Sequence, residues 1–220
     1  MNKNNIKAIL FDLDGTLFRS EMYHFIAWNE ALKSFNITVD PSIYGIYVGK
    51  SAEWIENDIK TRYKADFQKG DLIKEKSKIF IELFGNLGWE NGGLMPYAKE
   101  AIEYFYNKSF QLAICTSGSR EETIFKLQSA NIEKYFDAIF TADDVEFCKP
   151  APDIYLSAIS NFQLKDNECL AIEDTESGLV AAKEAGAFCF AIPTEHSKKQ
   201  NFEKADKVLT SLKDLIDFFN

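Results

Sequence analysis

Positive charge is scarce in this chain of 220 residues: 25 Lys and Arg stand against 34 Asp and Glu, for a formal net charge of −9. No global field therefore draws nucleic acid or an anionic membrane. An anionic ligand needs local help, from a cation, a metal ion or backbone N–H groups. Cysteine is sparse too. Cys115, Cys148, Cys169 and Cys189 form no Cys-x-x-Cys pair. Three of them lie in or beside apolar runs, which predicts reduced, partly buried thiols in a cytoplasmic protein. Long hydrophobic runs are missing at the start: Met1-Asn2-Lys3-Asn4-Asn5 is polar, and the short apolar run after it breaks at Asp12. Neither a signal peptide nor a membrane span is expected there. There is also no internal repeat and no low-complexity tract. What the chain does hold is core-forming material, 46% hydrophobic residues with 19 Phe. That excludes disorder and fits one large domain, or a main domain with a smaller insert.

Residues 6–11 (Ile-Lys-Ala-Ile-Leu-Phe) are short, mostly apolar and end in a polar turn, as a buried strand does. Similar runs recur at 110–115, 136–141, 168–172 and 187–192. Helix-like stretches near 97–108, 120–130, 151–162 and 176–185 alternate with them. The alternation predicts a parallel α/β sheet covered on both faces. Residues 18–94 break it and read as helical throughout. Met22, Phe25, Ile26 and Leu32 make one apolar stripe there, and His24, Trp28, Ala31 and Phe35 a second. A helix apolar on two sides belongs in a small helical domain lying over another. The expected fold is a Rossmann-like parallel sheet core flanked by helices, at 1–18 and 93–220. A small all-α cap, 19–92, is inserted after the first strand.

In open α/β sheets, ligands bind beyond the carboxyl ends of the strands, and four polar segments fall just there. Asp12-Leu13-Asp14-Gly15-Thr16 offers a carboxylate nucleophile and a second carboxyl group two residues on for proton transfer; a solvated Asp-Gly turn would look the same. Thr116-Ser117-Gly118-Ser119 suits a phosphate, and equally the capping of the next helix. Lys149, before Pro150, can offset phosphoryl charge or be a solvated loop lysine. Glu173-Asp174, before Thr175-Glu176-Ser177-Gly178, is costly at a buried strand end unless it binds a cation or finds donors. With Asp12 it would make an oxygen-rich Mg²⁺ site. Glu176 alternatively serves as a first-turn acid. Each segment has an ordinary explanation; their order along one parallel sheet does not.

Taken together, DLDGT at 12–16, Thr116-Ser117, Lys149-Pro150 and the stretch from Glu173 to Gly186 resemble the motifs of the haloacid dehalogenase superfamily of phosphotransferases. A helical insert between the first two motifs resembles the subfamily of phosphoglycolate phosphatase, 2-deoxyglucose-6-phosphatase and β-phosphoglucomutase. The resemblance implies Asp12 as nucleophile and Mg²⁺ ligand. It implies Asp14 as general acid/base, with its backbone carbonyl on the metal. Thr116, Ser117 and Lys149 would hold the phosphoryl group. Asp174 would complete the metal site, with Glu173 on or beside the ion.

Tyr23-His24-Phe25-Ile26-Ala27-Trp28 resembles the first cap helix of the mutases, which would let His24 contact substrate or Asp14, a structural histidine being the other reading; Trp28 is expected to be core. Other residues depart from the mutase pattern. Thr16 stands where Val is usual, and Gly49-Lys50-Ser51-Ala52 lacks the arginine that grips a second phosphate, leaving Lys50 or Arg120 to substitute. Gly118-Ser119-Arg120 replaces Ser-Lys-Asn, and Tyr97 takes a hinge position often Gly. The expectation is a monomeric, cytoplasmic, Mg²⁺-dependent phosphatase. It would act on a small phosphomonoester, such as a sugar phosphate, through a phosphoaspartate, with neither nucleic acid nor membrane as partner. A sugar-phosphate mutase is the alternative, and a non-catalytic phosphometabolite sensor a third reading.

Overall fold

The computed structural model describes residues 2–86 and 93–220, and in it the short apolar runs become strands of one parallel sheet. Among the described residues the strands are β1 (Ala8–Phe11), β2 (Gln111–Cys115), β3 (Ala138–Phe140), β4 (Cys169–Glu173), β5 (Phe188–Ala191) and β6 (Lys207–Val208). Their spatial order is β3-β2-β1-β4-β5-β6. β1 is thus central, and the chain reverses its direction of winding beside it. That reversal opens a crevice at the carboxyl ends of β1 and β4.

The strands alternate large and small side chains, which sorts the two faces. Ile9, Phe11, Leu112, Ile114, Leu170 and Ile172 form one buried cluster with α5 (Ala98–Asn107) and α9 (Leu212–Phe219). Ala8, Leu10, Ala113, Cys115, Ala171 and Cys189 face α7 (Asp153–Phe162) and α8 (Glu176–Glu184). Small residues on that face let the helices approach closely. All four cysteines are free thiols, with Cys115, Cys169 and Cys189 buried. α6 (Arg120–Ser129) follows β2. β6 and α9 had no counterpart in the sequence reading.

Residues 21–86 form α1 (Glu21–Leu32), the single turn α2 (Pro41–Tyr44), α3 (Ala52–Tyr63) and α4 (Asp71–Asn86). They carry an apolar cluster of their own, including Trp28, Leu32, Val39, Tyr47, Ile59 and Leu72. The expected stripe of α1 needs correction at its first member, because Met22 is 54% exposed. The buried face runs instead through Glu21, His24, Ala27, Trp28, Ala31 and Leu32, and Phe35 beyond it is exposed. Helix also does not extend to both ends of the insert. Arg19 N donates to Gly93 O (3.1 Å), Met95 N donates to Leu17 O (2.8 Å), and Phe18 pairs antiparallel with Leu94. The two connections therefore run side by side as a short ribbon. The end of the expected cap, 87–92, lies outside the described residues. No described helix is long and apolar enough to cross a membrane.

Candidate active site

Asp12 follows β1 directly, its backbone N–H donating to Ile172 O of β4 at 3.0 Å. Its Oδ1 accepts from Lys149 Nζ at 2.7 Å, and the same ammonium donates to Glu173 Oε1 (2.6 Å) and Cys115 O (2.7 Å). All three lysine hydrogens are used. Both Lys149 and Asp12 are buried, so this is not a solvated loop lysine. Burial would lower the Lys149 pKa, but Asp12 and Glu173 more than offset it and raise it. Burial pushes the Asp12 carboxyl up, with Lys149 opposing and Glu173 adding to the rise.

Glu173 also accepts from the Tyr155 hydroxyl at 2.5 Å. Gly178, in the first turn of α8, makes room for it: a Cβ there would stand 2.0 Å from the Glu173 carboxyl. Gly15 does the same for the neighbouring acid. Its φ of +86° suits glycine, and a Cβ would lie 2.2 Å from Asp174 Oδ2. Asp174 is 1% exposed, and neither carboxylate oxygen has a hydrogen-bond partner among the described residues. Burial, then Asp12 and Glu173, push its pKa well up.

Ligand atoms of Asp12, Glu173 and Asp174 lie within 4.8 Å of one another. Lys149 is the ammonium bonded to this group, so with all three carboxylates ionised two negative charges are in excess. A divalent cation balances that excess and gives the bare Asp174 oxygens the partner they lack. The donor set, all carboxylate oxygen, fits a hard ion such as Mg²⁺.

The Thr116–Ser119 turn separates its two possible roles. Ser119 caps α6, its Oγ accepting from Glu122 N at 3.3 Å. Thr116 Oγ1 accepts from Gly118 N at 3.0 Å, and the Ser117 hydroxyl is buried without a partner among the described residues. Thr116 and Ser117 are therefore free of capping duty and line the same cavity as Asp12, Lys149 and Asp174.

Asp14 is held apart from the carboxylate cluster. Its Oδ1 accepts from Ser20 Oγ, from Lys126 Nζ (2.5 Å) and from His24 Nε2 (3.1 Å). Burial alone would raise the Asp14 pKa, but Lys126 and His24 more than offset this and hold it well below the carboxylate range. His24 stacks on Phe80 at 4.2 Å, and burial followed by Lys76 lowers its pKa. A neutral ring then has one consistent arrangement: Nε2–H donates to Asp14, and Nδ1 accepts from Lys76 Nζ at 2.9 Å. Lys76 also meets both Glu122 oxygens at 3.0 Å, and Ser77 Oγ donates to Glu122 Oε1. A buried polar chain thus joins α1 and α4 to α6.

Lys50 lines the cavity, but its Nζ sits over the exposed Trp54 ring at 5.6 Å. Trp28 is packed in the helical cluster, as expected, and also lines the cavity. Arg120 is a correction. Its Nη2 donates to Asp144 Oδ2 (2.5 Å) and Ile139 O (3.2 Å), because the first residue of α6 points away from the cavity that Glu122 faces. Glu176 is the first-turn acid of α8, its Oε2 accepting from Asn201 N at 3.1 Å. Sequence reasoning missed Ser20, Lys76, Glu122, Lys126 and Tyr155. Glu122 and Lys126 carried a signal, an i, i+4 acid–base pair, but that spacing normally marks a solvated helix face.

Known proteins resemble this chain over most of its length. A family model described as haloacid dehalogenase-like hydrolase matches residues 6–186. A phosphorylated carbohydrates phosphatase of Thermotoga maritima is 28% identical over 185 residues, covering 82% of each chain. A β-phosphoglucomutase of Bacillus subtilis is 28% identical, covering 96% of this chain and 92% of its own. The crystal structure of CbbY from Rhodobacter sphaeroides in complex with phosphate superposes with a TM-score of 0.87 at 28% identity, covering 96% of each chain.

Proposed function

The chain belongs to the haloacid dehalogenase-like hydrolases, and on that premise we propose that it is a Mg²⁺-dependent phosphatase of small phosphomonoesters that works through a phosphoaspartate at Asp12. The observation that carries the reading is the buried group of Asp12, Glu173 and Asp174, two charges short of neutrality beside Lys149. Asp12, Asp174 and the Asp14 carbonyl would hold the ion, with Glu173 beside it orienting Lys149. Bound there, the ion would supply positive charge to the phosphate oxygens and keep Asp12 ionised.

Thr116 and Ser117 offer hydroxyls to the phosphoryl oxygens, and Lys149 offsets their charge. The Asp12 carboxylate attacks phosphorus, and the ester oxygen leaves with a proton from Asp14. Water then attacks the phosphoaspartate, its proton passes to Asp14, and inorganic phosphate is released with Asp12 restored. The ion-paired Asp14 of this structure is the form that accepts the proton in the second half. The first half needs Asp14 protonated on Oδ2 as substrate enters, with Lys126 still on Oδ1.

Residues 19–92 act as the cap, swinging on the ribbon of Leu17–Arg19 and Gly93–Met95 and shielding the reaction from bulk water. The similar carbohydrate phosphatase and the phosphate-bound CbbY favour a phosphorylated sugar or similar metabolite as substrate. With Arg120 paired to Asp144, one of the two cations offered for a second phosphate is engaged, which favours hydrolysis over a mutase reaction. The free thiols fit a reducing compartment such as the cytoplasm.

Phosphate release from a generic aryl phosphate with and without Mg²⁺ tests the reading. Wild type should turn over only with the ion, and Asp14→Asn should turn over slowly or not at all. Full turnover by Asp14→Asn would remove it from the proton-transfer role.

A further inference from the structure

Gly118 lines the cavity beside the phosphoryl site, and the space on its hydrogen side is walled by oxygen. A Cβ there would lie 3.4 Å from Thr116 Oγ1, 3.5 Å from Asp14 Oδ2 and 3.7 Å from Thr123 Oγ1. Apart from residues next to Gly118 in the chain, these are the nearest described atoms. All three are ordinary contact distances, so the space admits a group the size of a methyl or a water. An apolar space of this kind stays dry, whereas one with two to four polar partners holds water. Thr123, in the first turn of α6, is fully buried, and its hydroxyl has no partner among the described residues. A helical threonine commonly returns its hydroxyl to the carbonyl one turn back. At Thr123 only the backbone N–H does so, donating to Ser119 O at 3.0 Å. Asp14 is oriented to match. Its donors Ser20, Lys126 and His24 all fall on Oδ1, which leaves Oδ2 toward Gly118.

We infer that this space seats the water that hydrolyses the phosphoaspartate, an inference that rests on the phosphatase reading. The hydrogen bonds can all be made. The water donates to Asp14 Oδ2 and to Thr116 Oγ1, and it accepts from the Thr123 hydroxyl. One lone pair remains for phosphorus. Thr116 Oγ1 takes Gly118 N–H on one lone pair and the water on the other, so its own hydrogen stays available to a phosphoryl oxygen. Once the ester oxygen has left with the Asp14 proton, Oδ2 is an acceptor again. The water oxygen then bonds to phosphorus, its proton passes to Oδ2, and the bond from phosphorus to the Asp12 oxygen breaks. Asp14, Thr116, Gly118 and Thr123 all belong to the α/β core. The seat therefore supplies its water while the cap is still docked, and it makes Gly118 and Thr123 determinants of hydrolysis.

Two variants test the seat. Gly118→Ala fills it without a clash, and the φ of Gly118 lies outside the left-handed region, so alanine is tolerated there. Thr123→Val removes one partner at nearly constant shape. The readout is the ratio of phosphorylated to free Asp12 while the full-length enzyme turns over saturating aryl phosphate with Mg²⁺, measured by acid quench and peptide mass spectrometry. That ratio is the rate of phosphorylation over the rate of hydrolysis, so damage that slows both halves equally leaves it unchanged. It should rise about tenfold or more in Gly118→Ala, since placed proton transfer contributes about 10²–10⁴-fold, and several-fold in Thr123→Val. A wild-type ratio in both variants overturns the inference and leaves the phosphatase reading intact. Neither phosphoenzyme nor phosphate release in wild type overturns that reading and the inference with it. A high-resolution crystal structure gives an independent readout. An ordered water bonded to Asp14 Oδ2, Thr116 Oγ1 and Thr123 Oγ1 is expected in wild type and not in Gly118→Ala; wild-type crystals without it overturn the site.

Discussion

Lys126 Nζ stands 2.5 Å from Asp14 Oδ1, and none of the lysine side chain is exposed. A buried ammonium has to be paired, and its partner here is the proposed proton carrier. Lys126 fixes where the Asp14 carboxylate points when the leaving group departs. Replacing it with Met should lower kcat on alkyl phosphates by about tenfold or more, since a placed general acid contributes 10²–10⁴-fold. Aryl phosphates, whose leaving group needs no proton, should change less. A thermal melt should show a loss of about 3 kcal/mol, the usual effect of removing one member of a buried pair.

Gly178 gives a prediction with a reversed sign. In an ordinary helix, Gly→Ala stabilises by about 1 kcal/mol. At Gly178 the new Cβ would lie 2.0 Å from the Glu173 carboxyl, which also holds Lys149. Gly178→Ala should therefore destabilise by about 1–3 kcal/mol and depress turnover. Denaturant unfolding together with a phosphate-release assay measures both.

The hinge offers a test of backbone strain. Tyr97 precedes α5 with φ of +65° and is 44% exposed. A left-handed conformation costs a non-glycine residue about 1–2 kcal/mol. Tyr97→Gly should exceed Tyr97→Ala in stability by about 1 kcal/mol, read as the difference in denaturation midpoint at equal slope.

Burial, with Asp14 adding, raises the Glu21 pKa to about 7 from its ordinary 4.5. The folded chain then keeps a proton that the unfolded chain has lost. The contribution of Glu21 is fully present below pH 4.5 and is lost as pH rises toward 7. Relative to Glu21→Gln, which does not titrate, the wild type should lose stability across that window, at up to about 1.4 kcal/mol per pH unit. A pH series of urea melts in chelator checks it; a constant difference would contradict the shift.

The sheet and the strand-end segments were legible because they obey local rules. Buried parallel strands read as short apolar runs, and the polar residues after β1, β2 and β4 stand where α/β sheets bind ligands. Thr116 and Ser117 were ambiguous with a helix cap until Ser119 was seen to do the capping. Lys126 and Glu122 could not be read. Their spacing is that of a solvated pair, and only the packing of α4 and Phe80 over α6 buries them. Arg120 failed for a related reason: which side a helix's first residue faces depends on its rotation against the sheet. β6 is two residues long, too short to show any alternation.

The central claim is a covalent phosphoaspartate at Asp12, and acid quenching during Mg²⁺-dependent turnover followed by peptide mass spectrometry tests it most directly. The account predicts one phosphoryl group on the peptide containing Asp12, and neither that adduct nor turnover in Asp12→Asn. Turnover near wild type in Asp12→Asn, or a phosphoryl group trapped on a different residue, would contradict it.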